Sequence, residues 1–259
     1  FENYDGHFLD AHGLLKGNLY KLVNQTNDAQ EQMRYQAAHA VKDGSDHDNI
    51  EYQLRPTQPD SWLDTYVNYD EWNRYHAIAQ AIRHYDYWPD ANKNATWYFE
   101  PVYTPQNRNL GVLWTLPFDA DATWGPTWND GRDRPYEAIF GSPGKPEFQK
   151  AYRNAIREVR DLLWQREQLE QVVRQTAAFM DALEEADIDR WRNAPAAAGR
   201  QYFSATAEAT LEGKCKDMLN FAFVGGSWPG GSVGAGGRAA FLDSFADGAY
   251  ASQLPEKPV

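Results

Sequence analysis

Two short groups of residues, each with at least one Asp, lie on either side of a predicted β-hairpin, between positions 84 and 125 of this 259-residue chain. We call them the first and the second acidic group. The first group is His84-Tyr85-Asp86, followed by Lys93-Asn94, and the second is Asp119-Ala120-Asp121 after two short apolar runs. In phosphoryl transfer, one carboxylate orients the attacking hydroxyl, while an Asn and a later Asp hold metal ions on the phosphates. The order of these residue types therefore indicates phosphoryl-transfer chemistry.

Each of these side chains has a chemical role that it could perform and a simpler structural one. Asp86, at the end of a predicted helix, could orient a substrate hydroxyl or accept its proton, or it could bind local backbone donors. Asp119 and Asp121 alternate along an extended segment, so we expect Asp121 to face the site with Asp119 in support. The alternative for this pair is a turn in which Asp caps the following segment. Asn92 or Asn94 could add a neutral oxygen ligand for Mg²⁺, although Asn in loops usually stabilises turns.

A helix and a hairpin must bring these groups together. The helix is predicted to begin at Asp60 or Ser61, either of which can cap it, and to end just before the first acidic group. Its apolar face is formed by Leu63, Tyr66, Val67, Trp72, Tyr75, Ile78, Ala79 and Ile82. The two strands of the hairpin are predicted at residues 96–103 and 110–117, with a turn around residues 105–109. The second acidic group follows directly on the exit of the second strand.

Three further segments are predicted upstream of that helix. A turn and a short strand cover residues 17–23. A polar stretch with a few apolar positions predicts a surface helix over residues 28–41. Residues 42–60, rich in Asp, Pro and Asn, are predicted to be a loop.

The second half of the chain is predicted to be mostly helical. A long helical region begins at Pro146 and breaks near residues 164–167. The apolar positions at helical spacing in its first part are Phe148, Tyr152, Ile156, Val159 and Leu163. We expect this face to be buried against the helix at 62–83. An Ala-rich stretch at 194–220 predicts another helix, and the glycine-rich residues 225–237 predict a flexible connection.

Composition excludes several classes of protein. The 37 acidic and 25 basic residues give a net charge of −12, and no Lys/Arg block is present, so we expect no nucleic-acid partner. A single cysteine, Cys215, rules out an internal disulfide framework. No apolar run approaches the roughly 20 residues of a transmembrane helix, and no signal peptide is present. Because the chain starts at Phe1, in the middle of apparent structure, we expect it to be a piece of a longer protein.

The remaining residue patterns of the sequence are less informative about function. The 10 Trp, 15 Tyr and 12 Phe indicate a core built on large aromatic side chains or, alternatively, a surface on which sugar rings stack. The six His show no His-x-x-x-His pair beside a Glu, which a metalloprotease site would require. The glycine-rich tail has no phosphate-binding loop motif. We expect Cys215 to be buried rather than reactive, because nothing marks a partner His base.

A set of short segments, in a fixed order along the chain, matches a pattern known from one family. The segments are Phe1-Glu2, Phe8-Leu9, Gly17-Asn18-Leu19-Tyr20-Lys21, His84-Tyr85-Asp86, Lys93-Asn94, Trp97-Tyr98-Phe99, Leu116 to Gly125, Pro146-Glu147-Phe148 and Asp189-Arg190-Trp191. Together they resemble the CotH-like kinases, a family named for a spore coat protein, and in particular its larger surface-protein branch. Residues 116–125 match a "PWDxDxTFG"-type motif, with Phe118 for the usual Trp and Trp124 for Phe. The resemblance covers residues 1–195.

The resemblance implies an atypical protein-kinase fold that uses ATP and Mg²⁺ or Mn²⁺ to phosphorylate Ser or Thr of a protein substrate. It makes Asp86 the catalytic-loop carboxylate, Asn94 the loop metal ligand and Asp121 the metal-binding Asp after the hairpin. Asp86 and Asn94 are eight positions apart, whereas ordinary protein kinases use five. Asn92 or Asp90 is therefore an alternative for one of these roles.

The resemblance also assigns residues outside the loop. Asp119 assists Asp121 in holding the metal. The lysine that grips the nucleotide phosphates belongs to a small β-rich lobe, which we expect to precede Phe1. Glu2 and Lys21 are the nearest counterparts of that lobe in this chain, and they are the further candidates for nucleotide binding.

Domain organisation and location follow from the same resemblance. We expect residues 1–195 to be the catalytic region, without its upstream lobe, and residues 196–259 to be an Ala- and Gly-rich connection toward a following domain. Residues 236–243 look like the segment after the catalytic domain in large bacterial surface proteins. This similarity implies an exported protein on the cell surface or outside the cell.

The predicted fold is therefore α+β and mostly helical, the large C-terminal lobe of a kinase-like fold with small antiparallel hairpins. Two other interpretations stay open, a catalytically silent relative with a structural or adhesion role and a carbohydrate-active or carbohydrate-binding module. In a glycosidase, two carboxylates should face each other at roughly 5–10 Å across a groove lined with Trp or Tyr. In a kinase, Asp86, Asn94 and Asp121 should converge on one metal-sized space.

Overall fold

Helices predominate over antiparallel strands in this protein, so the fold is α+β and mostly helical, as the sequence predicts. The computed structural model describes residues 4–23, 30–33, 41–55, 57–84, 93–118, 120, 123–125, 146–193, 210–228 and 231–246. The strands are β1 Asn18–Val23, β2 Gln30–Met33, β3 Lys93–Glu100, β4 Val112–Pro117, β5 Gly226–Trp228 and β6 Gly231–Val233. The helices are α1 Gly6–Ala11, α2 Ser45–Gln53, α3 Asp60–Tyr66, α4 Tyr69–Ile82, α5 Pro146–Glu158, α6 Arg166–Met180, α7 Glu184–Asn193, α8 Leu211–Phe223 and α9 Gly237–Ala246. Among these described helices, none has the length and apolar character needed to cross a membrane.

The chain folds into two units. Unit 1 contains Phe1–Gln80, Asp86–Asp121 and Arg134–Ala155. Unit 2 contains Ala81–Tyr85, Ala122–Asp133 and Ile156–Val259. Two of the five boundaries between them fall inside α4 and inside α5, so each of these helices contributes residues to both units.

A four-stranded antiparallel sheet forms the β part of unit 1, in the order β2-β1-β3-β4. The predicted strand at 17–23 is confirmed as β1, and the predicted hairpin is confirmed as β3 and β4. The prediction of a surface helix over 28–41 is wrong at Gln30–Met33, which form β2 and pair with β1. Pairing with an existing strand decides the structure there, because the apolar pattern of this segment is too weak to bury a helical face.

Helix α2 lies where the sequence predicts a loop, so the prediction for residues 42–60 is wrong over Ser45–Gln53. Only Ile50 of this helix is a buried apolar side chain, while Asp46, His47, Asn49 and Glu51 are buried polar ones. A helix that turns polar side chains toward the protein interior has no apolar periodicity. This is why the pattern of the sequence misses it.

The single helix predicted from residue 60 to residue 82 is two helices, α3 and α4, separated at Val67 and Asn68. Val67 is extended and forms a parallel bridge with Leu113 of β4. Asn68 caps the next helix, because its Oδ1 accepts a hydrogen bond from the backbone N–H of Glu71 at 3.2 Å. Asn68 followed by Glu71 three positions later is a helix-start signal inside the predicted helix.

The outer edge of β4 is covered by the start of α4. The backbone N–H of Asn68 donates to the carbonyl of Leu113 at 3.0 Å. The backbone N–H of Thr115 donates to Oε2 of Glu71 at 2.8 Å. An exposed strand edge offers unpaired donors and acceptors, and these two bonds satisfy part of it. They also fix β4 against the helix that leads to His84.

The core of unit 1 contains large aromatic side chains, as one interpretation of the composition predicts. Leu9, Leu19 and Tyr98 are fully buried and pack with Phe8. Further fully buried side chains of this unit are Ile50, Leu63, Trp72 and Trp97. Phe148 of α5 contacts Tyr69 of α4, with ring centroids 4.5 Å apart.

The helical region after Pro146 breaks where the sequence predicts. A π-helical turn at Val159–Leu163 ends α5, and Trp164 and Gln165 separate it from α6. Tyr152, Ile156 and Val159 are buried as expected, but the side chain of Leu163 is 46% exposed, which contradicts the prediction for that position. A π-turn adds a residue to the helical repeat and so rotates the following side chains off the apolar face.

The glycine-rich segment differs from the predicted flexible connection. Gly226–Trp228 pairs with Gly231–Val233 as a small hairpin, and α9 follows directly. Gly225 has a φ of 87°, a left-handed conformation that a glycine adopts without strain, and it ends α8. A Cβ at this position would also collide with the carbonyl of Gly234. At Gly225, therefore, glycine permits a tight turn.

Candidate functional site

The site residues predicted from the sequence differ in how far the structure describes them. Those outside the described residues are Glu2, Asp86, Asp119 and Asp121, with the alternatives Asp90 and Asn92. Asn94 is described as backbone of β3, and Lys21 is described with its side chain. The roles assigned to all of these residues therefore stay predictions. What the structure adds is the arrangement of the neighbouring residues.

Lys21 lies at the end of the sheet from which β4 exits. In the sheet, Lys21 of β1 pairs with Thr96 of β3. Its Nζ lies 4.2 Å from the centroid of the Phe118 ring, the residue directly before Asp119. An ammonium over an aromatic face is held by the quadrupole of the ring. The Lys21 ammonium is thus held next to Phe118, which precedes the second acidic group in the sequence.

The register of the hairpin places its two ends side by side. Ala95 pairs with Pro117, and Thr96 pairs with Leu116. Asn94 precedes Ala95 by one residue, so its backbone lies at the same end of the sheet as the exit of β4. The predicted strands at 96–103 and 110–117 have this antiparallel pairing, with the first strand starting three residues earlier, at Lys93.

The chain segments on the outer sides of the two acidic groups are joined by a hydrogen bond. The backbone N–H of Trp124 donates to the carbonyl of Ile82 at 2.8 Å. Ile82 ends α4 four positions before Asp86, and Trp124 follows Asp121 by three. Arg83 and Trp124 both have left-handed backbone conformations, with φ of 56° and 60°. Such conformations are strained in residues other than glycine and cluster at functional sites.

Aromatic packing holds the half-buried Trp124 against buried side chains of unit 2. Its ring stacks on Trp164, with centroids 5.4 Å apart and planes 8° from parallel, and meets Phe221 edge-on at 6.1 Å. The indole N–H of Trp164 donates to the carbonyl of Ala222. These contacts offset the strain at Trp124 and fix the position where the chain leaves the second acidic group.

Glu71 connects α4 to β4 through a buried carboxylate. Burial raises the pKa of Glu71 to about 8, and the hydrogen bond from the Thr115 N–H opposes part of this rise. Near neutral pH, Glu71 is therefore mostly protonated, in contrast to an ordinary surface glutamate. Its contact holds the strand that carries the second acidic group.

A second polar cluster, which the sequence does not reveal, is built on Asp46 in the first turn of α2. Oδ2 of Asp46 accepts from Asn18 Nδ2 at 2.7 Å, and Oδ1 accepts from the Tyr20 hydroxyl at 2.7 Å. The backbone N–H of His47 also donates to Oδ1, at 2.8 Å. Burial raises the pKa of Asp46, while the bonds from Tyr20 and Asn18 oppose this. The network ties α2 to β1.

His47 lies next to this network with two further carboxylates. Its Nδ1 is 3.5 Å from Oδ1 of Asp48 and 3.6 Å from Oε2 of Glu51. These three ligand atoms all lie within 4.8 Å of one another. Burial lowers the pKa of His47, although Glu51 and Asp48 act in the opposite direction. The i, i+4 spacing of His47 and Glu51 on one helix is a signal that a search for metal ligands could have used.

A cavity of about 570 Å³ opens beside α2. The residues of its wall that bear on chemistry are Asp48, Asn49, Tyr52, Gln58, Trp62 and Arg108. Arg108 has a left-handed φ of 52° and donates from Nη2 to Oδ1 of Asn49 at 2.9 Å. The Arg108 head group is thus fixed by a side-chain contact within the wall of the cavity.

Cys215 is buried, as the sequence predicts. Burial raises the pKa of its thiol, and Glu212 adds to the rise. The neighbouring lysines are not among the causes of this shift, which agrees with the prediction of a buried rather than a reactive thiol.

A comparison of the sequence with models of protein families gave no match, and a comparison with curated protein sequences gave none either.

Proposed function

We propose that this chain is the larger lobe of a CotH-like kinase, which transfers the γ-phosphate of ATP to Ser or Thr of a protein substrate. In this proposal Asp86 orients the substrate hydroxyl. Asn94 and Asp121 hold Mg²⁺ or Mn²⁺ on the phosphates, with Asp119 in support. The family is proposed from the ordered motifs of the sequence. The geometry of the residues around those motifs supports this proposal.

The hydrogen bond between Ile82 and Trp124 is the observation that carries the proposal. A phosphoryl-transfer site needs its hydroxyl-orienting carboxylate and its metal-binding carboxylate in one place. The bond joins the segment that leads to Asp86 with the segment that leaves Asp121. A chain that sent these two segments to opposite sides of the molecule would not make this bond.

The sheet supports the same convergence from the inner side of the two groups. The pairing of Ala95 with Pro117 brings the start of β3, with Asn94, next to the exit of β4 toward Asp119. Lys21 adds a positive charge at this end of the sheet, 4.2 Å from the Phe118 ring. A lysine close to the metal-binding loop could neutralise charge on bound phosphates.

The proposal also includes an upstream lobe, a location at the cell surface and the partners of the protein. A small lobe upstream of Phe1 would supply the other half of the nucleotide cleft, and Glu2 would lie near it. The protein would be exported to the surface of a bacterial cell, where its partners are nucleotide and a protein substrate. The net charge of −12 favours neither nucleic acid nor another polyanion as a partner.

Binding of ATP·Mg²⁺ to this chain tests the proposal by calorimetry. We expect weak binding, because half of the nucleotide cleft belongs to the upstream lobe. Asp121→Asn should reduce it at least tenfold, since it removes a metal ligand, while Asp86→Asn should leave it within about twofold. Asp64→Asn, an exposed carboxylate on α3, is the matched control and should bind as the parent does. Equal binding by all four proteins would show that Asp121 is not a ligand.

A carbohydrate-binding role is the second candidate, and the cavity beside α2 favours it. Tyr52 is 54% exposed and lines this cavity together with Trp62. Side-chain amides lie there too, with Gln58 donating to Gln53 at 3.0 Å. Aromatic faces combined with amide groups are suited to bind the apolar faces and hydroxyls of sugars.

A glycan array followed by calorimetry separates this candidate from the first. If the cavity binds sugars, Trp62→Ala should lose the glycan signal while ATP·Mg²⁺ binding is unchanged. Trp228→Ala, a partly buried Trp of unit 2, is the control and should retain glycan binding. An array without any signal would exclude the carbohydrate-binding role.

A further inference from the structure

The spacing of the polar atoms around His47 Nδ1 bears on whether a metal ion could bind there. The two distances from Nδ1, 3.5 Å to Asp48 and 3.6 Å to Glu51, exceed those of good hydrogen bonds. Two ligands of one tetrahedral ion, each about 2.1 Å from it, are about 3.4 Å apart. The separations around Nδ1 are close to that value.

The burial of His47 beside two carboxylates makes a cation at this position favourable. Its side chain is completely buried, so its ring nitrogens cannot bond to solvent. In the neutral ring, either nitrogen can carry the proton. The tautomer with its proton on Nε2 turns the Nδ1 lone pair toward two carboxylates, which repel it. The tautomer with its proton on Nδ1 donates only over long distances. In either tautomer, Nε2 has no hydrogen-bond partner among the described residues. A cation bound at Nδ1 removes the other unfavourable contact, the one between Nδ1 and the two carboxylates.

The surroundings of His47 fix its ring before any ion binds. The ring packs against Tyr20 and against Trp97, with centroids 5.2 Å apart in each case. The backbone N–H of His47 is held by Asp46, which in turn is held by Asn18 and Tyr20. A ligand that is already oriented loses little freedom on binding, which strengthens the site.

Asp48 gives the cluster an exposed side. Glu51 is buried, with its side chain 7% exposed, whereas the Asp48 side chain is 54% exposed and lines the cavity of about 570 Å³. Three protein ligands with a remaining position open to a cavity are typical of zinc sites that bind water or a substrate. An imidazole ligand favours zinc and its neighbours over Mg²⁺ and Ca²⁺.

We propose that His47 Nδ1, Asp48 and Glu51 bind a divalent transition-metal ion of the zinc class, with an open coordination position on the exposed side of Asp48. This site is independent of the proposed kinase function. The kinase metal would be Mg²⁺ or Mn²⁺ on nucleotide phosphates at Asp121, whereas this ion is held through a histidine without any nucleotide.

Zn²⁺ titration of the chelator-treated protein, followed by calorimetry, tests the proposal. We expect one ion per chain with the affinity lost at least tenfold in Asp48→Asn and in Glu51→Gln. Asp48 is exposed, so its amide variant should fold, and circular dichroism checks this. Co²⁺ in place of Zn²⁺ should give the visible absorption of a coordinated ion, reduced in the same two variants. Mg²⁺ should not compete.

Two control variants make the result specific. Asp64→Asn removes an exposed carboxylate of α3 and should bind Zn²⁺ within about twofold of the parent. Asp121→Asn should also bind Zn²⁺ normally, which separates this site from the proposed kinase metal. Equal Zn²⁺ affinity in all variants, or no saturable binding, would overturn the proposal. Asp46 and Asp48 would then serve the α2 N-terminus, where acidic side chains are favourable.

Discussion

At the scale of single residues, buried polar groups do much of the work of positioning in unit 1. Asp46 holds β1 to α2 through Asn18 and Tyr20, and Glu71 holds β4 to α4 through the Thr115 N–H. A buried polar group without a partner costs about 1–3 kcal/mol, so such contacts specify one arrangement of the elements. The sequence contains these residues but does not reveal their partners, because the partners are distant in the chain.

The raised pKa of Glu71 predicts a pH dependence of stability. Its pKa is about 8 in the folded protein against 4.5 for an ordinary glutamate. Between these values the folded state binds more protons than the unfolded state, so the free energy of unfolding falls as pH rises. The slope from this residue is at most about 1.4 kcal/mol per pH unit. In Glu71→Gln this component should be absent, and the variant should gain stability relative to the parent toward pH 8.

Urea unfolding at pH 4, 6 and 8 measures the Glu71 effect as a difference between variant and parent. Asp70→Asn, which changes the exposed neighbour of Glu71, should show the pH dependence of the parent. Parallel curves for Glu71→Gln and the parent over this range would mean that the carboxyl titrates normally and is hydrated.

At the scale of elements, the hairpin and the long helices after Pro146 could be predicted because their apolar patterns are regular. Helix α2 could not be predicted, since its buried side chains other than Ile50 are polar. The break at Asn68 was missed because Val67 continues the apolar pattern across it. The π-turn at Val159–Leu163 likewise depends on local hydrogen bonding that no spacing rule shows. For the candidate site, the order of the acidic residues around the hairpin predicts phosphoryl transfer, and this stays a prediction because Asp86, Asp119 and Asp121 lie outside the described residues. The cluster around His47 was missed.

Removal of the cap on α4 should weaken the protein moderately. Asn68→Ala deletes the Oδ1 acceptor of the Glu71 N–H and should cost about 1 kcal/mol in the free energy of unfolding. Asn68→Asp keeps an acceptor at the same position and should stay within about 0.5 kcal/mol of the parent. Urea titration of both variants checks this. An Ala variant as stable as the Asp variant would mean that the side chain does not cap the helix.

The face of α5 gives a matched pair of core and surface variants. Ile156 is fully buried, so Ile156→Ala should lower the free energy of unfolding by about 2–5 kcal/mol through lost burial and the cavity left behind. Leu163 lies after the rotation of the π-turn and is 46% exposed, so Leu163→Ala should cost less than about 1 kcal/mol. Similar losses in both variants would contradict the rotation of the helical face.

At the scale of the whole molecule, the sequence predicts the fold class but not the division into two units. Two of the five boundaries between the units fall within helices, where composition and hydropathy do not change. The glycine-rich residues 225–237 look like a connection by composition, yet they contain a hairpin and the start of α9. The proposed function depends on a few short motifs and on the way the surrounding elements bring them together.

Transfer of labelled γ-phosphate from ATP to protein tests this central claim most directly. The measurement uses a protein that extends this chain by the upstream lobe proposed above, with Asp86→Asn, Asp121→Asn and the surface control Asp64→Asn. We expect labelling by the parent and by Asp64→Asn, and a loss of at least about a hundredfold in the other two, because orientation of the hydroxyl and charge neutralisation both act on the transition state. Equal labelling by all four proteins would contradict the site, and no labelling by any of them would instead favour a catalytically silent relative.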